Sequence, residues 1–126
     1  MASEVSFETA GLARAQPPPA LARVIERFVR AFAPEAILLF GSYAKGTQRA
    51  GSDFDLLVIA ELCGDVAFHL RRAHQLAADC FPPVDVTFAT PTEVAEAASA
   101  PSPFLESILG RGKLVYAQAS PAVSLP

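Results

Sequence analysis

Three short features of this sequence bring together residue types that can do chemistry: Gly41-Ser42 after one apolar run, Asp53-Phe54-Asp55 leading into a second, and Asp85 between two valines. Side chains alternate faces along an extended strand, so Asp53 and Asp55 share a face and lie roughly 6 to 7 Å apart along the chain. That separation suits a shared metal site. Two hard divalent cations about 3.5 to 4 Å apart need several carboxylate oxygens around them, and a third aspartate from a neighbouring strand would complete the set. Asp85 qualifies, because Val84 and Val86 claim the core and place Asp85 with Thr87 on the opposite face. A carboxylate in such apolar company is costly to bury unless it is paired, bound to metal or at the rim of a cleft. Gly41, directly after a buried strand, lets backbone come close to a phosphate, and Ser42 adds a hydroxyl beside free N–H groups. The patterns GxxxxGKS/T and GxGxxG are both absent, so this cradle is of another kind.

These residues need a scaffold. Leu21, Val24, Ile25, Phe28, Val29 and Phe32 recur at helical spacing from Ala20 onward, with Arg23, Glu26, Arg27 and Arg30 on the other face, and Pro34 stops the helix. The run Ala36 to Phe40 has the length of a strand buried on both faces, and Phe54 to Ala60 predicts a second. Tyr43 to Lys45 allow a turn or so of helix before Gly46, and residues 47–52 predict a loop. Asp65 is placed to cap a helix running to about Cys80, with Val66, Leu70, Ala73, Ala77 and Phe81 on its buried stripe. Val84, Val86 and Phe88 alternate with Asp85 and Thr87 as in a strand with one face in the core. Residues 92–110 predict a short helix, a break at Pro101 and Pro103, then a helix carrying Phe104, Leu105, Ile108 and Leu109; Lys113 to Tyr116 predict a small edge strand. The expected organisation is a flexible arm over residues 1–19 ending in three prolines, one α/β domain over residues 20–116 built on a small mixed sheet flanked by helices, and a disordered tail over residues 117–126.

The spacing of the three features resembles a known signature. Gly41-Ser42, ten residues, then Asp53-Phe54-Asp55 is similar to the GSx10DxD pattern of the minimal nucleotidyltransferases in the DNA polymerase β-like superfamily. The flanking runs Leu39 to Gly46 and Ser52 to Val58 resemble it as well, and the later Val84-Asp85-Val86 supplies the third carboxylate. The resemblance implies the polymerase β-like core and assigns roles. Gly41, Ser42 and Lys45 would hold the triphosphate of ATP, Asp53 and Asp55 would bind two Mg²⁺ ions, and Asp85 would bind the catalytic ion and help deprotonate the attacking hydroxyl. The reaction implied is in-line attack on the α-phosphorus with pyrophosphate leaving. Lys45 and Tyr43 stand where relatives often carry Arg, so a cation on the phosphates is kept as a point charge without a bidentate fork.

Composition narrows the biology. The 126 residues and 52% hydrophobic content suffice for one core, and a net charge of -3 gives no basic field of the kind duplex nucleic acids require. Cys63 and Cys80 form no CxxC pair and have no His at ligand spacing, which argues against zinc and disulfide scaffolds and fits a reducing, cytoplasmic setting. His69 and His74 are five apart and cannot share a helix face, so both are expected at the surface or partly buried. No apolar run approaches the roughly 18 residues a membrane span needs, and the N-terminus lacks the pattern of a secretory signal. A core of this size leaves no room for the helical substrate domain usual in enzymes that modify free small molecules. The resemblance therefore points to the antitoxin of HEPN/MNT toxin–antitoxin modules, where the small enzyme transfers AMP from ATP to a tyrosine of a HEPN-type ribonuclease toxin. Two alternatives stand beside it: a non-catalytic inhibitory subunit, and a small-molecule nucleotidyltransferase completed by a second subunit.

Overall fold

The structure, a computed structural model, describes residues 13–14, 16–41, 53–99 and 112–118. Strand β1 is Ala13–Arg14, helix α1 Pro19–Phe32, β2 Ala36–Phe40, β3 Phe54–Ile59, α2 Val66–Leu76, β4 Val84–Ala89, α3 Pro91–Ser99 and β5 Lys113–Ala117. The five strands form one mixed sheet in the order β1-β5-β2-β3-β4. β2 runs antiparallel to both β3 and β5, whereas β3 pairs with β4, and β1 with β5, in parallel. The parallel β3–β4 pair requires a crossover, and α2 provides it.

Alternation sorts the strand residues onto two faces. Ile37, Leu39, Phe54, Leu56, Val58, Val84 and Val86 meet Leu21, Val24, Ile25, Phe28 and Phe32 of α1 and Ala73 of α2. On the other face Ala36, Leu38, Leu57, Ile59, Ala89 and Leu114 pack with Val94 of α3. Both faces of the central strands are thus dry, as their unbroken apolar runs predict. The α/β architecture with a small mixed sheet matches the expectation from sequence.

The ends of α1 follow local chemistry. Pro19 opens the helix, where its missing N–H is no loss, and the carbonyl of Pro18 accepts from the N–H groups of Leu21 at 2.9 Å and Ala22 at 3.0 Å. Ala33 closes it in the left-handed conformation at φ 47°, donating to the Val29 carbonyl, and Pro34 prevents continuation. Asp65 caps α2 as expected, accepting from the Ala67 N–H at 3.0 Å.

Several boundaries differ from the sequence expectation. Helix α2 ends at Leu76 rather than near Cys80, because Ala78 bonds back to Gln75 in a tighter turn and Arg27 of α1 donates to the Leu76 carbonyl at 2.8 Å. Val66 and Phe81, expected on its buried stripe, are 50% and 74% exposed. β5 is no edge strand, since it lies between β1 and β2; the edges are β1 and β4. Within the segment expected to be an arm, Ala13–Arg14 pair with Lys113 and Leu114, and Pro19 belongs to α1. Ala117 likewise ends β5, and the Gln118 N–H donates to the Glu35 carbonyl at 2.8 Å. The turn at Tyr43 to Lys45, the loop over 47–52, the helix expected around Phe104 to Leu109 and tail residues 119–126 lie outside the described residues. Among the described residues no helix is long and apolar enough to cross a membrane.

Candidate active site

The sheet register assembles the candidate residues. Phe40, the last residue of β2, is opposite Asp55 across the antiparallel pair, and Asp55 is level with Asp85 across the parallel one. Residues in register on adjacent strands, about 4.8 Å apart, project to the same face. Asp55 and Asp85 therefore stand side by side, on the face opposite α1 and α2. Phe54, Leu56, Val84 and Val86 take the other face and are held in the core, which fixes where the aspartates go. Asp53 lies just ahead of β3, anchored through the next residue, whose N–H donates to the Pro83 carbonyl at 2.8 Å. Asp53 and Asp85 are exposed, Asp55 is half-buried, and Thr87 sits two positions beyond Asp85 on the same face, half-buried.

Gly41 completes this corner. Its φ of +75° favours glycine, and a Cβ at this position would collide with the carboxylate of Asp55, lying 3.0 Å from its Cγ and closer still to Oδ2. The hydrogen on Gly41 is thus the space that the Asp55 carboxylate occupies. Sequence reasoning gave Gly41 a role toward phosphate and missed this one. Thirteen residues separate the two positions, and only the hairpin register brings them together. Ser42 and Lys45, the other residues expected to hold the triphosphate, lie outside the described residues.

The carboxylates act on one another. Partial burial raises the pKa of Asp55 above its ordinary value, and the negative charges of Asp85 and then Asp53 raise it further. All three expected residues therefore share one electrostatic neighbourhood. Among the described residues, no group of three or more His, Cys, Asp or Glu side chains draws close enough to enclose an ion. The donors are all carboxylate oxygens, the chemistry hard divalent cations prefer, and the repulsion at Asp55 is what a cation would relieve. In those two respects the residues fit Mg²⁺. A second pair of acids, Glu35 and Glu61, flanks the opposite ends of β2 and β3, and burial followed by the Glu61 charge raises the Glu35 pKa. No glycine cradle accompanies that pair among the described residues.

His69 is held within the fold. His69 Nε2–H donates to the Cys63 carbonyl at 2.7 Å, and its ring stands edge-on to Phe32, Phe68 and Phe88. Cys63 and Cys80 are free thiols.

Comparison with known proteins agrees with this geometry. Residues 23–120 match the family described as Polymerase beta, Nucleotidyltransferase. No match is found among curated proteins. Among solved structures the chain is similar to a toxin–antitoxin with AMP-PNP, at 26% identity and a TM-score of 0.52 over 75% of this chain and 72% of that one. It is also similar in fold to a double Asp-to-Glu mutant of the toxin–antitoxin MntA-HpeT, at 23% identity and a TM-score of 0.50 over 75% of this chain and 70% of that one. A match across most of the chain, on a sheet whose register brings Asp55 and Asp85 together beside Gly41, makes the protein a member of the polymerase beta nucleotidyltransferase family.

Proposed function

We propose that the protein is an antitoxin that transfers AMP from ATP to a hydroxyl of a partner protein, a tyrosine of a HEPN-type toxin. The observation that carries the reading is the register pairing of Asp55 with Asp85 against Gly41. The similar toxin–antitoxin structure with AMP-PNP, an ATP analogue, supports the choice of nucleotide and partner. Asp53 and Asp55, with Asp85, would hold two Mg²⁺ ions, which when bound would supply charge stabilisation at the α-phosphorus. Asp85 takes the proton of the attacking hydroxyl as its oxygen bonds to that phosphorus, and the bond to the bridging oxygen of pyrophosphate breaks. Gly41 leaves backbone open to the phosphates and keeps Asp55 in place. Ser42, the next residue, and Lys45, four positions on, add a hydroxyl and a point charge to the triphosphate. The setting is cytoplasmic, where ATP is supplied.

A non-catalytic inhibitory subunit is the second reading, favoured by the lack of three converging metal donors among the described residues. The two separate in one experiment. The protein is incubated with labelled ATP and Mg²⁺, with and without the product of the adjoining gene, and the intact mass of both chains is measured. AMP gained by the neighbour, abolished by EDTA and by Asp53→Ala, is the expected result; a tight complex with no transfer would establish the inhibitory reading instead.

A further inference from the structure

We infer that the outer face of α1 and α2 is a docking surface for a partner protein whose own surface sets acidic side chains around an apolar centre. The inference builds on the proposed function by naming the face that holds the acceptor protein. Charge is segregated in this chain. Residues 19–32 and 66–79 carry five arginines against two acids, although the whole chain has a net charge of -3. Arg27 is committed to Asp79, with contacts of 2.6 and 3.1 Å. Arg30, Arg71 and Arg72 are exposed and form no ion pair among the described residues.

The helix pairing gathers these cations. Cys80 reaches the Ala20 carbonyl and Phe32 meets His69, so α1 and α2 run antiparallel and Arg30 comes level with Arg72. Apolar exposure concentrates on the same element. The large hydrophobic side chains exposed among the described residues are Val66 at 50%, Phe68 at 54% and Phe81 at 74%, all in α2 or just beyond it. Phe68, Arg71 and Arg72 lie three and four positions apart, on one helix face.

Arginine beside exposed aromatic surface is the composition of protein interfaces, and the guanidinium fork suits carboxylates. A nucleic acid is disfavoured by the acidic whole and by the small number of free cations. The face also bears on transfer. α2 flanks β4, an edge strand, and β4 carries Asp85 on its far side. A partner seated on α2 leaves the carboxylates open and can pass an extended segment, with the acceptor hydroxyl, around the free edge of β4.

The test measures affinity between the full chain and the product of the adjoining gene, in an Asp55→Asn background so that binding is scored apart from transfer. Reversal by Phe68→Glu with Arg71→Glu and Arg72→Glu is expected to weaken the complex at least about a hundredfold, while Glu93→Lys with Glu96→Lys on α3 changes it less than about threefold. Unaltered melting of the exposed-residue variants confirms folding, and Phe68→Ala with Arg71→Ala is the milder substitute if the reversal misfolds. Equal binding by the reversed variant, no complex with the unreversed chain, self-association abolished by the reversal, or retention of a 20-nucleotide RNA through these residues would each overturn the inference. Transfer is assayed separately with Asp55 intact, and a complex that forms there without AMP transfer would instead count against the catalytic reading alone.

Discussion

At the scale of single residues, Asp55 and Gly41 form one unit. Ala at position 41 has no room for its Cβ unless the Asp55 carboxylate moves, and it carries the strain of a positive φ as well. Gly41→Ala is therefore expected to weaken Mn²⁺ binding measured without nucleotide, and Gly41→Ala added to Asp55→Ala should lower the melting temperature much less than Gly41→Ala alone. Equal costs in both backgrounds would confine Gly41 to the phosphate. Asp55 also lies in a field that opposes its charge, raised by burial and by two like charges. Asp55→Asn in metal-free protein should melt higher at neutral pH while transfer falls at least about a hundredfold, a trade of stability against activity checked by calorimetry and the AMP assay. The aspartates were legible in the sequence because alternation beside Val84, Val86 and Phe54 leaves them one face to occupy. The contact between Gly41 and Asp55 was not, because register belongs to paired strands and not to either strand alone.

At the scale of elements, α1 and α2 are tied by Arg27, which bonds both the last carbonyl of α2 and Asp79. The hydrogen bond from Arg27 is the largest cause of a lowered Asp79 pKa. A depressed carboxylate contributes stability above its unfolded pKa and loses it as pH falls through the folded value. Arg27→Met should thus melt below the parent near neutral pH, with the gap narrowing on acidification, as a thermal melt series would show. Both partners are substantially exposed, which keeps the effect small. Removing the cap by Asp65→Ala should cost about 1 kcal/mol, read by denaturant titration. The cap and the apolar face of α1 follow from sequence at short range. The end of α2 does not, because helical spacing continues on paper through Phe81 while a side chain from 49 residues away takes up the Leu76 carbonyl.

At the scale of the molecule, the sheet separates two jobs. One face is roofed by α1 and α2, whose outer surface is basic and partly apolar; the other carries the carboxylates at one end and Val94 of α3 over the rest. The apolar runs of β2 and β3 made a buried mixed sheet predictable, but the place of β5 was hidden, because pairing between segments so far apart leaves no local trace. That place governs how the chain tolerates shortening. β5 lies inside the sheet, so cutting the chain before Lys113 would leave β2, the most apolar strand, with an open edge of unpaired N–H and C=O groups. Such an edge recruits other chains. The shortened protein is expected to appear as insoluble aggregate rather than as a smaller enzyme, even though its three aspartates remain.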